Sequence, residues 1–132
     1  MKNVTKKWLE LADYDLESAK IMLASGRYLY VAFMCQQAIE KQLKAYLSEK
    51  TDETPAYTHN LTVLIELAQI NFTEEELCFV SLLNRYYINA RYPTVKEKLS
   101  QSLNKKTGTE LYLKTKEVLK CLKKELQTLK KF

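Results

Sequence analysis

Residues 28–49, YLYVAFMCQQAIEKQLKAYLSE, have the most regular apolar spacing in the chain. Apolar side chains recur there at steps of three or four residues, a period that places them on one face of an α-helix. They are Tyr28, Ala32, Cys35, Ile39, Leu43, Tyr46 and Leu47. Polar residues between Gln36 and Lys44 fall on the opposite or flanking surface. The stretch therefore predicts a long amphipathic helix with one face on a core.

The preceding segment predicts a second long helix over residues 4–25, with Thr5 as its capping residue. Its apolar side chains also follow helical spacing, and Gly26 is expected to end it. Because only Gly26 and Arg27 separate the two helices, we expect them to fold back on each other as an antiparallel hairpin.

Two glycines and two prolines in 132 residues are too few for the frequent tight turns of a β protein. This scarcity favours long helices. The one substantial loop is expected over residues 50–57, and Thr58 or Asn60 is expected to cap a short helix over residues 61–69.

Thr73 and Glu76 have the spacing of a capping box and predict the start of another helix. That helix is expected to run through Arg91 and to be ended by Pro93, because the residue preceding a proline is disfavoured in the α conformation. Residues 95–103 predict a further helical turn or two. A long final helix is expected after residues 107–109.

The predicted fold class is all-α: a compact up-and-down helical bundle of about five helices with short extra helical turns. An apolar fraction of 46% in a chain of this length is enough for one core. A single domain over residues 1–132 is therefore expected.

The formal net charge is +5, and its excess lies near the C-terminus, where residues 105–132 hold nine lysines and three glutamates. A basic helix there could attract polyanions through counterion release. The alternative is a solvated lysine face whose aliphatic stems cover apolar surface. Charge alone leaves both interpretations open.

Three cysteines, Cys35, Cys78 and Cys121, lie far apart within apolar helical patterns. We expect buried free thiols in a reducing cytoplasm. With a single histidine, neither a metal site nor a cofactor is expected. No apolar run approaches the roughly 18 residues that suggest a membrane span, and acidic residues near the N-terminus do not fit a signal peptide. The predicted location is the cytoplasm, without a membrane partner.

The segment LNRYYINARYP, residues 83–93, concentrates unusual side chains, because it holds two of the chain's three arginines and three of its nine tyrosines. Asn84, Tyr87 and Arg91 share one helical face, whereas Arg85 points elsewhere. An arginine fork suits a phosphate, and tyrosine stacks on bases or completes hydrogen bonds. The segment therefore suggests a nucleotide or RNA phosphate site.

A structural interpretation of the same segment remains open. In it, Arg91 pairs with Glu40 or Asp15 of a neighbouring helix, and the tyrosines pack with their hydroxyls satisfied.

Three stretches resemble the HEPN family, the higher eukaryotes and prokaryotes nucleotide-binding domain. Residues 28–45 resemble its second-helix pattern "Y..A.F..QQA.EK.LKA". Residues 58–61, THNL, resemble the family's entry to the next helix, and residues 85–93, RYYINARYP, resemble its "YY..ARYP" signature. With matching alanine and leucine spacing in the first helix, the resemblance covers roughly residues 5–125 in the expected order.

The resemblance implies a bundle of about five helices, often a homodimer, with a basic groove near the fourth helix. It implies a small nucleotidyltransferase as a partner, sometimes as toxin and antitoxin, with Tyr86, Tyr87 or Tyr92 as acceptors of a nucleotidyl group. Active family members are metal-independent ribonucleases in which about four to six residues separate an arginine from a histidine. There the arginine neutralises the scissile phosphate and the histidine moves a proton.

This chain lacks that histidine. The corresponding positions hold Ala90, Arg91 and Tyr92 after Arg85, and Lys96, Glu97 and Lys98 after Arg91. The only imidazole, His59, lies in the loop before the third helix, where it is expected to cap a helix or bond to a carbonyl. The resemblance therefore favours the family's fold over its catalysis, and whether the chain is an enzyme stays open.

Three functions remain as hypotheses. The first is a nucleotide- or RNA-phosphate-binding module without the ribonuclease motif; its predicted site residues are Asn84, Arg85, Tyr87, Arg91, Lys41 and Lys44. The second is a divergent ribonuclease that uses Arg85 or Arg91 with His59. The third is a purely structural dimerisation module.

Overall fold

Six α-helices form within the part of the chain that the computed structural model describes, residues 1–53 and 57–130. They are α1 (Asn3–Ala24), α2 (Tyr28–Lys50), α3 (Leu61–Ala68), α4 (Glu74–Asn89), α5 (Pro93–Ser102) and α6 (Lys105–Lys130). No strand occurs in these ranges, which confirms the all-α prediction. Residues 54–56 of the predicted loop lie outside the described residues.

The long helices alternate in direction. Early α1 meets late α2, since the hydroxyls of Thr5 and Ser48 are 2.8 Å apart. Helix α6 runs with α2, because Gly108 packs near Tyr28 and the Cys35 thiol lies 3.8 Å from the carbonyl oxygen of Leu111. Helix α4 runs against α6, because Glu76 lies beside Cys121 whereas Phe79, further along α4, lies beside the earlier Lys114 of α6. The predicted up-and-down bundle is confirmed.

Helix α2 lies at the centre of the bundle, where α1, α3, α4 and α6 all pack against it. Large apolar side chains from four helices meet there with almost no exposure: Ile39, Leu43, Leu61, Leu64, Leu83 and Leu122. Full burial of one such side chain contributes about 1.5–3 kcal/mol relative to its exposed state. This shared core holds the short helix α3 against the long ones.

Local turn chemistry explains most helix boundaries. Gly26 has a φ of 77° between α1 and α2, a left-handed conformation that glycine adopts without strain. Asn60 caps α3, as predicted, by accepting the amide of Thr62 at 3.0 Å. The capping box of Thr73 and Glu76 at the start of α4 is also confirmed.

Two other boundaries differ from the predictions. Helix α4 ends at Asn89. Pro93 is the first residue of α5, where a backbone amide would have no partner within the helix, so proline fits there without loss of a hydrogen bond. Helix α6 starts at Lys105, earlier than expected, because the side chain of Asn104 accepts the amide of Thr107 at 2.9 Å.

The N-terminus of α1 is held by Lys2, so the predicted cap at Thr5 is wrong. The Lys2 ammonium group donates to the carbonyl oxygens of Ser48 and Thr51 at 3.0 and 3.2 Å, at the negative end of the α2 dipole. Its backbone amide donates to the Glu49 carboxylate, and this hydrogen bond is the main cause of a lowered Glu49 pKa. The folded state therefore gains stability from the ionised form of Glu49, and loses it as the pH falls through the lowered pKa.

The cysteines only partly match the prediction of buried thiols. Cys35 is buried, and its desolvation raises the pKa of its thiol to about 12, so it stays uncharged and unreactive. Cys78 and Cys121 are exposed, so for these two thiols the prediction of burial is wrong.

Among the described residues, no helix combines the length and the apolar character that crossing a membrane requires.

Replacing the capping residue tests the start of α4. Thr73→Ala removes the acceptor of the Glu76 amide, so we expect the free energy of unfolding to fall by about 1 kcal/mol. The matched control is Thr128→Ala, an exposed threonine inside α6, for which a change within about 0.5 kcal/mol is expected. Urea denaturation of both variants measures the difference, and equal losses would show that the cap contributes nothing.

Candidate functional site

A pocket of about 170 Å³ lies between the entry to α3 and the C-terminal half of α4. Its lining brings together three of the predicted site residues and the single histidine: His59, Asn60, Asn84, Tyr87, Ile88 and Arg91. The predicted shared face of Asn84, Tyr87 and Arg91 is therefore turned toward one cavity.

Asn84 joins the two helices that form the pocket. Its side-chain oxygen accepts the buried amide of Leu61 at 3.1 Å, and its side-chain nitrogen donates to the Asn60 side chain at 2.9 Å. A second donation reaches the Thr62 hydroxyl at 3.3 Å. Because both ends of its amide are engaged inside the protein, Asn84 fixes the start of α3 relative to α4.

Arg91 reaches the pocket from the end of α4. One of its terminal nitrogens donates to the Tyr87 hydroxyl at 2.9 Å, and the guanidinium carbon lies 4.8 Å from the centre of the Tyr87 ring. Across the described ranges Arg91 forms no salt bridge, so its predicted pairing with Glu40 or Asp15 is wrong. Guanidinium has five N–H donors, and most remain available to an anion.

His59 is held from beneath by a buried carboxylate. Its Nδ1 lies 2.9 Å from Oε1 of Glu40, which is only 3% exposed, while the imidazole side chain is 56% exposed. A carboxylate at Nδ1 favours the proton on that nitrogen, which leaves Nε2 as the acceptor of the neutral ring. Gln36 adds a donation of 2.8 Å to the His59 carbonyl oxygen.

The remaining predicted residues do not line the pocket. Lys41 forms an ion pair with Asp15, and the Lys44 ammonium group lies 3.3 Å from the second oxygen of Glu40. Arg85 is exposed on α4 outside the pocket lining. Two of the three positive charges are thus balanced within the bundle.

The buried network around Glu40 is not apparent from the sequence. Periodicity assigns Gln36, Glu40 and Lys44 to the outer surface of α2, but all three are buried. Their spacing of four residues places them in one row, and the entry to α3 and neighbouring helices cover that row. A sequence feature that could indicate this buried network is the repeat of polar residues at every fourth position beside an apolar stripe.

An aromatic contact extends the pocket toward α2. The centre of the Phe33 ring lies 4.8 Å from that of Tyr87, and the centre of the His59 ring lies 5.9 Å from it. These are ordinary separations for packed aromatic rings. They anchor Tyr87, which in turn holds Arg91.

A larger cavity, of about 230 Å³, lies between the first turns of α4 and the middle of α6. Its lining holds three carboxylates, from Glu75, Glu76 and Glu117, against one ammonium group, from Lys114. Their charge disfavours a phosphate ligand, so the smaller pocket at Arg91 is the better candidate for an anion. No group of three or more potential metal ligands occurs among His, Cys, Asp and Glu in the described ranges.

Comparisons with known proteins agree with this fold. A sequence model described as the HEPN domain matches residues 5–126. The chain is similar to the crystal structure of TT1696 from Thermus thermophilus, with a TM-score of 0.75 and 24% identity over 93% of this chain and 98% of that one. It is also similar to ST0689, described as an archaeal HEPN homologue, with a TM-score of 0.74 and 25% identity over 96% of this chain and 99% of that one. None of the curated proteins matches the chain.

The role of Asn84 in building the pocket can be tested by its removal. Asn84→Ala leaves the buried Leu61 amide without its acceptor, so the free energy of unfolding should fall by about 1–3 kcal/mol. Asn89→Ala, at a half-exposed position further along α4, is the control and should change it by less than about 0.5 kcal/mol. Thermal and urea unfolding measure both. An Asn84→Ala variant with an unchanged free energy of unfolding would contradict the bridging role.

Proposed function

The chain belongs to the HEPN domain family, and from this premise we propose that it binds the phosphate groups of a nucleotide or an RNA at the Arg91 pocket. The family match spans residues 5–126, which confirms the resemblance seen in the sequence. The family is commonly associated with nucleotides and RNA.

The observation that carries the proposal is the state of Arg91. Its guanidinium group is oriented by a tyrosine hydroxyl and pairs with no carboxylate among residues 1–53 and 57–130, and it lines a pocket that also holds His59. A charged group that is already oriented binds a phosphate with little further loss of side-chain freedom. A structural arginine would instead be expected to face a carboxylate.

The partners in this proposal are a second copy of the chain and a small nucleotidyltransferase, in a toxin–antitoxin or related pair. Their support is the family resemblance. Of the three tyrosines considered as nucleotidyl acceptors, Tyr92 is the most accessible at 60% exposure, whereas Tyr87 is buried and Tyr86 is half-buried. A nucleotidyltransferase in the adjoining reading frame would strengthen the assignment.

Replacement of Arg91 separates binding from structure. Arg91→Gln should weaken the binding of ATP or a single-stranded RNA by about ten- to a hundredfold, since a hydrogen bond to a charged group contributes about 1.5–3 kcal/mol. Its free energy of unfolding should change by less than about 0.5 kcal/mol, as for other exposed side chains. Fluorescence anisotropy and urea denaturation provide the two measurements.

Lys20→Gln is the control for this experiment, because it removes an exposed positive charge from α1. Its affinity for ATP or RNA and its free energy of unfolding should both stay close to those of the unchanged protein. Loss of stability by about 1–3 kcal/mol in Arg91→Gln, with binding intact, would instead support the structural dimerisation module.

A divergent ribonuclease is a second candidate, because the pocket brings His59 to the same cavity as Arg91 despite the missing motif. In that reaction the neutral His59 would take the proton of a 2′-hydroxyl while the hydroxyl oxygen attacks phosphorus. The bond from phosphorus to the 5′-oxygen would then break, the 5′-oxygen would take a proton from water and leave as the 5′-hydroxyl of the next nucleotide, and a 2′,3′-cyclic phosphate would remain, with the proton taken by His59 passing to solvent. Arg91 would neutralise the phosphorane charge.

If this second candidate is correct, His59→Ala and Arg91→Ala should each abolish cleavage of single-stranded RNA by the purified protein. Gel analysis of labelled RNA, with Lys20→Gln as the cleaving control, provides the measurement. Cleavage that survives both substitutions, or no cleavage by the unchanged protein, would eliminate the ribonuclease.

A further inference from the structure

A second pair of a cation and a tyrosine lies beside the Arg91 pocket. The Lys96 ammonium group, on α5, donates to the Tyr30 hydroxyl at 3.0 Å and lies 5.3 Å from the centre of its ring. Arg91 and Tyr87 form the same two contacts at 2.9 and 4.8 Å. Two separate segments of the chain thus present positive groups that are each oriented by a phenol.

The two pairs are joined by one ring. The ring of Phe33, on α2, has its centre 6.5 Å from that of Tyr30 and 4.8 Å from that of Tyr87, so it neighbours both tyrosines. The His59 ring in turn lies 5.9 Å from the Tyr87 ring. We call Tyr30, Phe33, Tyr87 and His59 the aromatic row.

The Tyr30 end of the aromatic row is electropositive. Hydrogen bonding from Lys96 and its charge lower the pKa of the Tyr30 hydroxyl, and the charge of Arg27 lowers it further. Arg27 is exposed, and Lys96 is half-buried beside the ring. An anion at this end would therefore meet positive charge from both α5 and the turn before α2.

The exposures along the aromatic row suit unpaired bases. Tyr30 and Phe33 are half-buried and His59 is more exposed, so each presents part of a ring to solvent, whereas Tyr87 is buried and serves to hold Arg91. Unpaired bases stack on partly exposed rings, while the bases of a duplex are already stacked on one another.

We propose that Lys96 and Tyr30 form a second phosphate-binding point, so that the ligand of this face is a single-stranded polynucleotide held at two phosphates. A mononucleotide carries its phosphates at one end and engages one of the two cations. A strand has phosphates on both sides of a nucleotide and can engage both, with bases against the rings between them. The proposal rests on the function assigned to Arg91 and names its substrate class.

Salt dependence measures the number of phosphates that the protein neutralises. For single strands, the slope of log K against log salt concentration changes by about 0.7 for each phosphate that is no longer bound. We measure this slope for a labelled eight-nucleotide single-stranded RNA. Its magnitude should be smaller by about 0.7 in Lys96→Gln and in Arg91→Gln, and by about 1.4 in the double variant. Lys98→Gln, an exposed lysine two residues along α5, is the matched control and should keep the full slope.

Two comparisons separate this proposal from the one it rests on. The unchanged protein should bind the RNA at least about tenfold more tightly than it binds AMP. The Lys96→Gln substitution should weaken the binding of RNA and leave the binding of AMP unchanged. If AMP binds as tightly as RNA and Lys96→Gln changes neither slope nor affinity, the second phosphate point is wrong while the Arg91 site stands. If neither ligand binds the unchanged protein, the Arg91 site itself is wrong.

Tyr30→Phe keeps the ring and removes only the hydroxyl that orients Lys96. It should reduce RNA affinity by less than Lys96→Gln and leave the salt slope intact, because the charge remains. Circular dichroism of each variant confirms that the helices are retained. A Tyr30→Phe variant with the same decrease in slope as Lys96→Gln would contradict the assignment of the phosphate contact to the lysine.

Discussion

The carboxylate of Glu40, buried near the middle of α2, is the constraint on which the candidate site depends. Withdrawing such a charge from water costs several kcal/mol unless nearby groups compensate it. Lys44 contacts one oxygen and His59 the other, at 3.3 and 2.9 Å. Because Lys44 belongs to α2 and His59 precedes α3, this compensation also positions the chain that enters α3.

The positions of the pocket residues follow from that entry point. Asn60 caps α3 and accepts a hydrogen bond from Asn84, so the first turn of α3 is fixed to the middle of α4. Arg91 lies two turns beyond Asn84, and the Tyr87 ring between them packs against Phe33. The pocket thus depends on a chain of contacts from α2 through α3 to α4, all formed by polar or aromatic side chains.

Sequence patterns predict the long helices well because each depends on local spacing and local caps. The stretch from residue 28 to 49 and the capping box at Thr73 contain the information that forms α2 and starts α4. The common cavity of Asn84, Tyr87 and Arg91 similarly follows from helical geometry. Features that depend on neighbouring helices cannot be predicted from such patterns. Glu40 is buried because other parts of the chain cover it, and periodicity within α2 does not show this. The pairing of Lys96 with Tyr30 joins residues 66 positions apart and has no local signal.

The distribution of compensated charge distinguishes the two groups of cations in the fold. Lys41 and Lys44 face carboxylates, so their charge is largely cancelled inside the bundle. Arg91 and Lys96 face tyrosine hydroxyls rather than carboxylates, and a phenol orients a cation by hydrogen bonding and by the face of its ring. A phenol therefore fixes the position of a positive charge while leaving its field available to a ligand. Two such pairs on one aromatic row make this face, rather than the lysines of α2, the part of the bundle suited to an anionic strand.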